Sequence, residues 1–146
     1  ISLKHYESFC CPTLRALVKD KHRHGHKAIV VYYGGVMDRL EKIASLGADG
    51  LVVEASMKGY HNDIEAIVDA VGDRLTLFAN INPVEVLQGA SDEMLCGEVA
   101  RQAAAGRRAR GFILGPAHPI TPGTGIPRIQ GFIALCRELG RSDSQT

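Results

Sequence analysis

Four polar endings in this sequence can do chemistry: Tyr32-Tyr33-Gly34-Gly35, Glu54, Asn80-Ile81-Asn82-Pro83 and Pro116-Ala117-His118-Pro119. Each follows an apolar run. Together they supply a carboxyl, an imidazole, phenols and amides, a set able to move a proton and orient a ligand. Glu54 closes an apolar stretch, where burial would raise its pKa and suit it to proton transfer unless a partner cation holds it ionised. His118 lies in a segment, Pro116 to Gly125, too punctuated for regular structure, and can act there as acid, base, ligand or donor. Asn80 and Asn82 can orient a ligand, although Asn82 before Pro83 is also a good helix N-cap. Gly34-Gly35 admits close approach of a ligand to backbone but lacks both the Gly-x-Gly-x-x-Gly pattern and the Lys-Ser/Thr of a P-loop. The candidates are Glu54 and His118 for catalysis, and Tyr33, Gly34, Asn80 and Asn82 for substrate binding.

Other clusters read as structure. His22, His24 and His26 straddle a helix end at Gly25 and would point in different directions, which suits a solvated terminus better than a metal site. Arg107, Arg108 and Arg110 follow a helix that ends near Gly106, where cations complement the dipole. The 4 cysteines include the adjacent pair Cys10-Cys11 and no Cys-x-x-Cys, so reduced thiols in the cytoplasm are expected. With 17 basic and 16 acidic residues the net charge is +1, which gives no general pull toward nucleic acid or anionic lipid. No apolar run approaches the roughly 20 residues that span a bilayer, and the start shows no secretory pattern. A small molecule or a protein is the expected partner.

These endings need elements to hold them. Ala28 to Tyr33, Gly50 to Glu54, Leu75 to Ile81 and Gly111 to Gly115 are near-continuous apolar runs, as parallel strands covered on both faces should be. Between them lie helix-period segments. Val36, Leu40, Ile43 and Ala44 form one stripe closed by Gly47; Ile64, Ile67, Val68 and Val71 form another, with Asn62 as N-cap and Glu65 completing a capping box. Ser91 caps a helix running to about Gly106, and Pro127 opens a last helix with Ile129, Phe132, Ile133, Cys136 and Leu139 inward. A leading helix is predicted from Pro12 to His24. The predicted fold is α/β, with four βα units in one domain over residues 1–140 and a polar tail from Arg141 to Thr146. Such units form an open sheet or half of a (β/α)₈ barrel, which typically needs about 250 residues.

The motifs then fall into a familiar order. Gly72-Asp73-Arg74-Leu75-Thr76-Leu77-Phe78-Ala79-Asn80-Ile81-Asn82-Pro83 resembles the Gly-Asp-Arg strand leading into Gly-Asn-Ile/Leu-Asp-Pro of the uroporphyrinogen decarboxylase superfamily. Leu87-Gln88-Gly89-Ala90-Ser91-Asp92-Glu93 and the loop carrying Thr121-Pro122-x-Thr124 continue the likeness, which runs from Ile1 to about Leu139. The chain is similar to the carboxy-terminal half of that superfamily, which includes methyltransferases that act with corrinoid proteins.

The resemblance implies a (β/α)₈ barrel whose first four units lie outside this chain. It also implies a tetrapyrrole-type substrate or a corrinoid carried by a partner protein at the rim, and no cofactor of the chain's own. Glu54 looks like the methyltransferase branch. Where zinc methyltransferases have His-x-Cys-Gly, however, this chain has Val31-Tyr32-Tyr33-Gly34, and the family's third ligand, a Cys, falls on His118. A three-ligand zinc set is therefore not expected. Corrinoid-linked methyl transfer, removal of carboxyl groups from tetrapyrrole acetates, and an inactive assembly module are the three functions that follow. Exposed sheet edges predict a homo-oligomer or closure by the amino-terminal half.

Overall fold

The β-branched runs form four parallel strands in the order β1-β2-β3-β4. They are β1 (Ile29–Tyr32), β2 (Gly50–Val53), β3 (Thr76–Phe78) and β4 (Phe112–Ile113), each shorter than its apolar run. The computed structural model describes residues 1–141. Its helices are α1 (Leu3–His5), α2 (Cys11–Arg23), α3 (Leu40–Ala44), α4 (Ile64–Val71), α5 (Asp92–Gly106) and α6 (Ile126–Arg141). This is an α/β fold with a parallel four-stranded sheet, consistent with part of a (β/α)₈ barrel.

Register decides which apolar residues are covered. Val30, Leu51, Leu77 and Phe112 share one rung and face the helices, with Leu51 and Leu77 fully buried. Burying each is worth about 2 kcal/mol. Val31, Val52, Phe78 and Ile113 share the next rung and face away. Leu77 is thus not on the open face with Ile29, Val31, Val52 and Ile113, as an undetermined register would allow. On that open face Ile29, Val31 and Ile113 are about half exposed, at 51, 52 and 47%.

The helices differ from expectation where local hydrogen bonding competes. The leading helix begins before Pro12: Ser2 caps α1, and a π-helical turn over Tyr6–Cys10 joins it to α2. Pro12 has no N–H to donate back, and the chain widens just ahead of it. Asp63, not Asn62, caps α4 by accepting from the Glu65 N–H at 3.2 Å. Glu65 then reaches Arg101 on α5 at 2.7 Å instead of closing a capping box. The stripe from Val36 splits into a 3₁₀ turn (Met37–Arg39) and α3, ending at Gly47 with φ +81°, a conformation that favours glycine. Ser91 caps α5 as expected. In α6 Phe132 is buried, but Ile133 faces outward beside β4.

The alternating histidines do diverge: His22 reaches Asp49, whereas His24 donates to the Asp20 carbonyl. Arg108 pairs with Asp69, and Arg110 donates to the Arg74 carbonyl. All 4 cysteines are free. Among the described residues, no helix is long and apolar enough to cross a membrane. Arg141, where the polar tail is expected to begin, is the last residue of α6, and residues 142–146 of that tail lie outside the described residues.

Candidate active site at the carboxyl ends of the strands

Side chains at the carboxyl ends of parallel strands converge on one rim. Here the centre of that rim is Glu54, directly after β2. Its Oε1 lies 2.8 Å from Nε2 of His118, and its Oε2 accepts the Gly34 N–H at 2.6 Å and the Tyr60 hydroxyl. Gly34 has φ +101°, which turns its N–H toward the carboxylate at a torsion that side chains resist. Gly35 matters for a different reason: a Cβ there would stand 3.0 Å from the Tyr60 Cβ. The Gly-Gly pair therefore aims a donor and clears a slot for the tyrosine.

His118 arrives from the other side of the sheet. After β4 the chain rejoins the sheet, with Pro116 bridging Ile81 and the Ala117 N–H donating to the Ile81 carbonyl at 2.9 Å, which carries the next residue over Glu54. Thr121 closes the same loop by donating to Gln88 and pairing with Thr124 at 2.9 Å. The Tyr33 ring stacks on His118, with centroids 5.5 Å apart and planes 8° apart. Tyr33 is itself 66% exposed, so the stacked pair presents an open aromatic face at the rim.

Beneath this layer two asparagines tie the strand ends together. Asn62, 2% exposed, accepts the Val36 N–H at 3.0 Å and donates to the carbonyls of Gly34 and Glu54, each at 3.0 Å. Asn80 donates to the Asn62 carbonyl at 2.8 Å and to that of Glu54 at 3.3 Å. Its own N–H is taken by Gln102 of α5, which Glu98 holds at 2.7 Å. Buried polar groups so satisfied specify one arrangement of β1, β2 and β3. The side chain of Asn82 accepts from the N–H groups of Val84 and Glu85, both at 3.0 Å, as the N-cap of the short π-helical segment Pro83–Gln88.

The electrostatics correct one expectation. Burial alone would raise the Glu54 pKa, but the Tyr60 hydroxyl, the Gly34 N–H and His118 outweigh it and hold the carboxyl below its ordinary value. Tyr60 is pushed up to about 12 by burial and then by its bond to Glu54, so it remains a donor. A carboxylate can only accept, which places the proton of His118 on Nε2 and turns Nδ1 into the exchangeable position. In neutral form Nδ1 is a base; in the imidazolium it is an acid.

Of the residues expected at the site, Glu54, His118, Tyr33 and Gly34 lie together at the rim. Asn80 lies just below them with its amide turned to backbone, and Asn82 is occupied by its helix. Tyr60 and Asn62 join them without being among those candidates. The Gly34-Gly35 pair was the available signal, because a glycine with no turn to explain it marks a close neighbour.

In barrels built of parallel βα units, functional sites occupy the rim at the carboxyl ends of the strands, which is where Glu54 and His118 meet. The chain belongs to the uroporphyrinogen decarboxylase (URO-D) family, whose model matches residues 1–139. Among solved structures it is similar to a methyltransferase from Methanosarcina mazei, with a TM-score of 0.74 and 18% identity. That match covers 96% of this chain and 38% of the other, and at such identity the likeness is one of fold. No curated protein matches the chain.

The rim residues do not suit the zinc of the superfamily's methyltransferases. Val31 has no donor atom, Tyr33 is stacked on His118, and Nε2 of His118 is engaged by Glu54. Among the described residues, no three His, Cys, Asp or Glu side chains group as a metal site would require.

Proposed function

We propose that this chain supplies the proton-handling part of the active site of a methyl-transferring enzyme of the uroporphyrinogen decarboxylase family. The observation that carries the proposal is the 2.8 Å pairing of Glu54 with His118 Nε2, which leaves Nδ1 to give or take a proton. Methyl transfer from oxygen or nitrogen needs a proton on the leaving heteroatom and an aligned donor. His118 supplies the first from its imidazolium, Glu54 stabilises that cation, and the open ring of Tyr33 positions the donor. Asn80 acts from below by fixing the end of β3. The corrinoid in this reading belongs to a separate carrier protein, whose residues hold it; when docked at the rim it would supply the methyl-exchanging centre. The methyltransferase-like fold and Glu54 at the end of β2 support this branch.

The family match itself favours a second reading, decarboxylation of tetrapyrrole acetate side chains, with His118 orienting or protonating a pyrrole. Assaying the complete enzyme with methylated amines or ethers plus a corrinoid carrier, and separately with an acetate-bearing tetrapyrrole, distinguishes the two. Release of carbon dioxide without methyl transfer would overturn the first.

Both readings include a partner that closes the sheet. Among the described residues β1 and β4 are the edge strands, with α2 residues lying beside β1 and α6 residues beside β4. A second copy of this chain or four further strands of the same barrel would each close these edges, and light scattering of the chain distinguishes the two: a stable dimer supports the first and a monomer the second.

A further inference from the structure

We infer that Tyr60 is a positioning residue of this rim, which through its hydroxyl on Glu54 sets how strongly that carboxylate holds His118. The inference rests on the proton-handling role proposed for His118. Its hydroxyl lies on Glu54 Oε2, the oxygen opposite the one that faces His118.

Three features show that the loop after β2 is built to deliver this hydroxyl. Met57 and Tyr60 exchange both backbone hydrogen bonds, at 3.0 and 3.1 Å, closing a tight turn that returns the chain toward the rim. Ser56 anchors the far side of the turn, accepting the Asn62 N–H at 3.0 Å and pairing with His61 Nδ1 at 3.0 Å. Gly35 leaves the space that the Tyr60 side chain enters. Packing a ring against the sheet would not require its oxygen on the carboxylate.

The chemistry follows from how the carboxylate charge is shared. Oε2 accepts two donors, Gly34 N–H and Tyr60 O–H, while Oε1 faces the imidazole. Each donor on Oε2 draws negative charge away from Oε1 and stops the group from rotating. Without the tyrosine hydroxyl, Oε1 would attract the imidazolium more strongly and His118 would become a weaker acid. The groups around the pair, among the described residues, come from several elements. Tyr33 comes from the end of β1, Tyr60 from the β2–α4 loop and His118 from the loop after β4, and the end of β3 offers only Asn80. On the Tyr60 loop, His61 is held by Ser56 and Lys58 is exposed at the tip.

Nitrogen-15 NMR of histidine-labelled full chain, with the His118 signals assigned by their loss in His118→Ala, tests the inference. Tyr60→Phe keeps the ring and removes the hydroxyl. Its expected effect is a rise of roughly 0.5–1 pH unit in the His118 midpoint, a 3- to 10-fold tighter hold on the proton. Gly35→Ala, which displaces the ring but retains the hydroxyl, should move the midpoint in the same direction and serves if Tyr60→Phe fails to fold. In the complete enzyme the Tyr60→Phe change should shift the pH profile of kcat and leave KM nearly constant. A folded Tyr60→Phe protein with an unchanged His118 midpoint and tautomer would overturn the inference. Undiminished turnover in His118→Ala would instead sink the functional reading while leaving the titration result, and so the action of Tyr60 on Glu54, intact.

Discussion

At the amino end of β2, Asp49 faces His22 at 2.7 Å; at its carboxyl end, Glu54 faces His118 at 2.8 Å. The residue types match, but the surroundings differ. Asp49 also binds Lys27 at 2.9 Å and the Ala28 N–H at 2.8 Å, and Lys27 is 81% exposed. Lys27 first, then the Ala28 N–H, and to a smaller degree His22, hold the Asp49 carboxyl well below the usual carboxylate range despite its partial burial. A neutralised, solvated pair of this kind latches the start of β1 to β2 and has no further chemistry available. Glu54 is paired with no lysine or arginine among the described residues. Its donors are a phenol, a backbone N–H and an imidazole, so the charge on His118 is what the carboxylate can stabilise. A surface cation in one place and its absence in the other separate a latch from the pair proposed to handle protons.

The largest expected break in that comparison is in activity. His118→Ala and Glu54→Gln in the complete enzyme should lower kcat about 10²- to 10⁴-fold, the usual worth of a positioned acid or base. His22→Ala should leave kcat within about twofold, since its ring lies at the other end of the strand. Equal losses of melting temperature and turnover in the rim variants would mean that both pairs are latches.

Next in size is the support beneath the rim. Asn62→Ala strands the Val36 N–H and the carbonyls of Gly34 and Glu54, and should cost about 3 kcal/mol in denaturant unfolding. A loss below about 1 kcal/mol would show that the strand ends are held without it.

Asp49→Asn should cost about 1 kcal/mol at neutral pH and nothing in turnover. Its pH signature sharpens the contrast. A carboxyl with a depressed folded pKa contributes stability that is fully present above its unfolded value, about 3.9, and is lost as pH falls below it. The wild type should therefore lose stability on acidification more steeply than Asp49→Asn, as followed by circular dichroism. Glu54→Gln should flatten the same limb, because the Glu54 pKa is also lowered, though against a burial cost that Asp49 meets with stronger partners.

The smallest expected effect is none. Elemental analysis should find no stoichiometric zinc, and chelator treatment of the complete enzyme should leave its activity unchanged. One zinc per chain, lost in His118→Ala, would replace the proton-handling account with Lewis-acid chemistry.

Much of this is legible in the sequence. Apolar runs ending in Tyr33-Gly34, Glu54, Asn80 and His118 marked the strands and their polar ends, because a two-face-buried strand must be apolar until it leaves the sheet. Asn62 departs from its expected capping role for a definite reason. An asparagine followed three residues later by glutamate satisfies the capping pattern, but Asp63 satisfies the helix equally well and frees Asn62 for the unpaired backbone of the neighbouring strand ends. The apolar run Leu75 to Ile81 does not say which of its residues face the helices, because one residue of slip reverses a strand's faces; the register puts Leu77 among them. Tyr60 gave no periodic signal, because it lies on a loop whose path is set by contacts with Gly35 and Glu54.

By itself the sequence determined the alternation of strands and helices, the caps at Ser91 and Asn82, and which polar residues stand at strand ends. These depend on local periodicity and on groups a few residues apart. The tertiary structure alone decided that Glu54 meets His118 and Tyr60, that Asn62 binds across three strand ends, and that Asp49 is neutralised while Glu54 is not. Hydrogen bonds act over about 3 Å, and residues distant in the chain are brought that close only by the register and crossovers of the folded sheet.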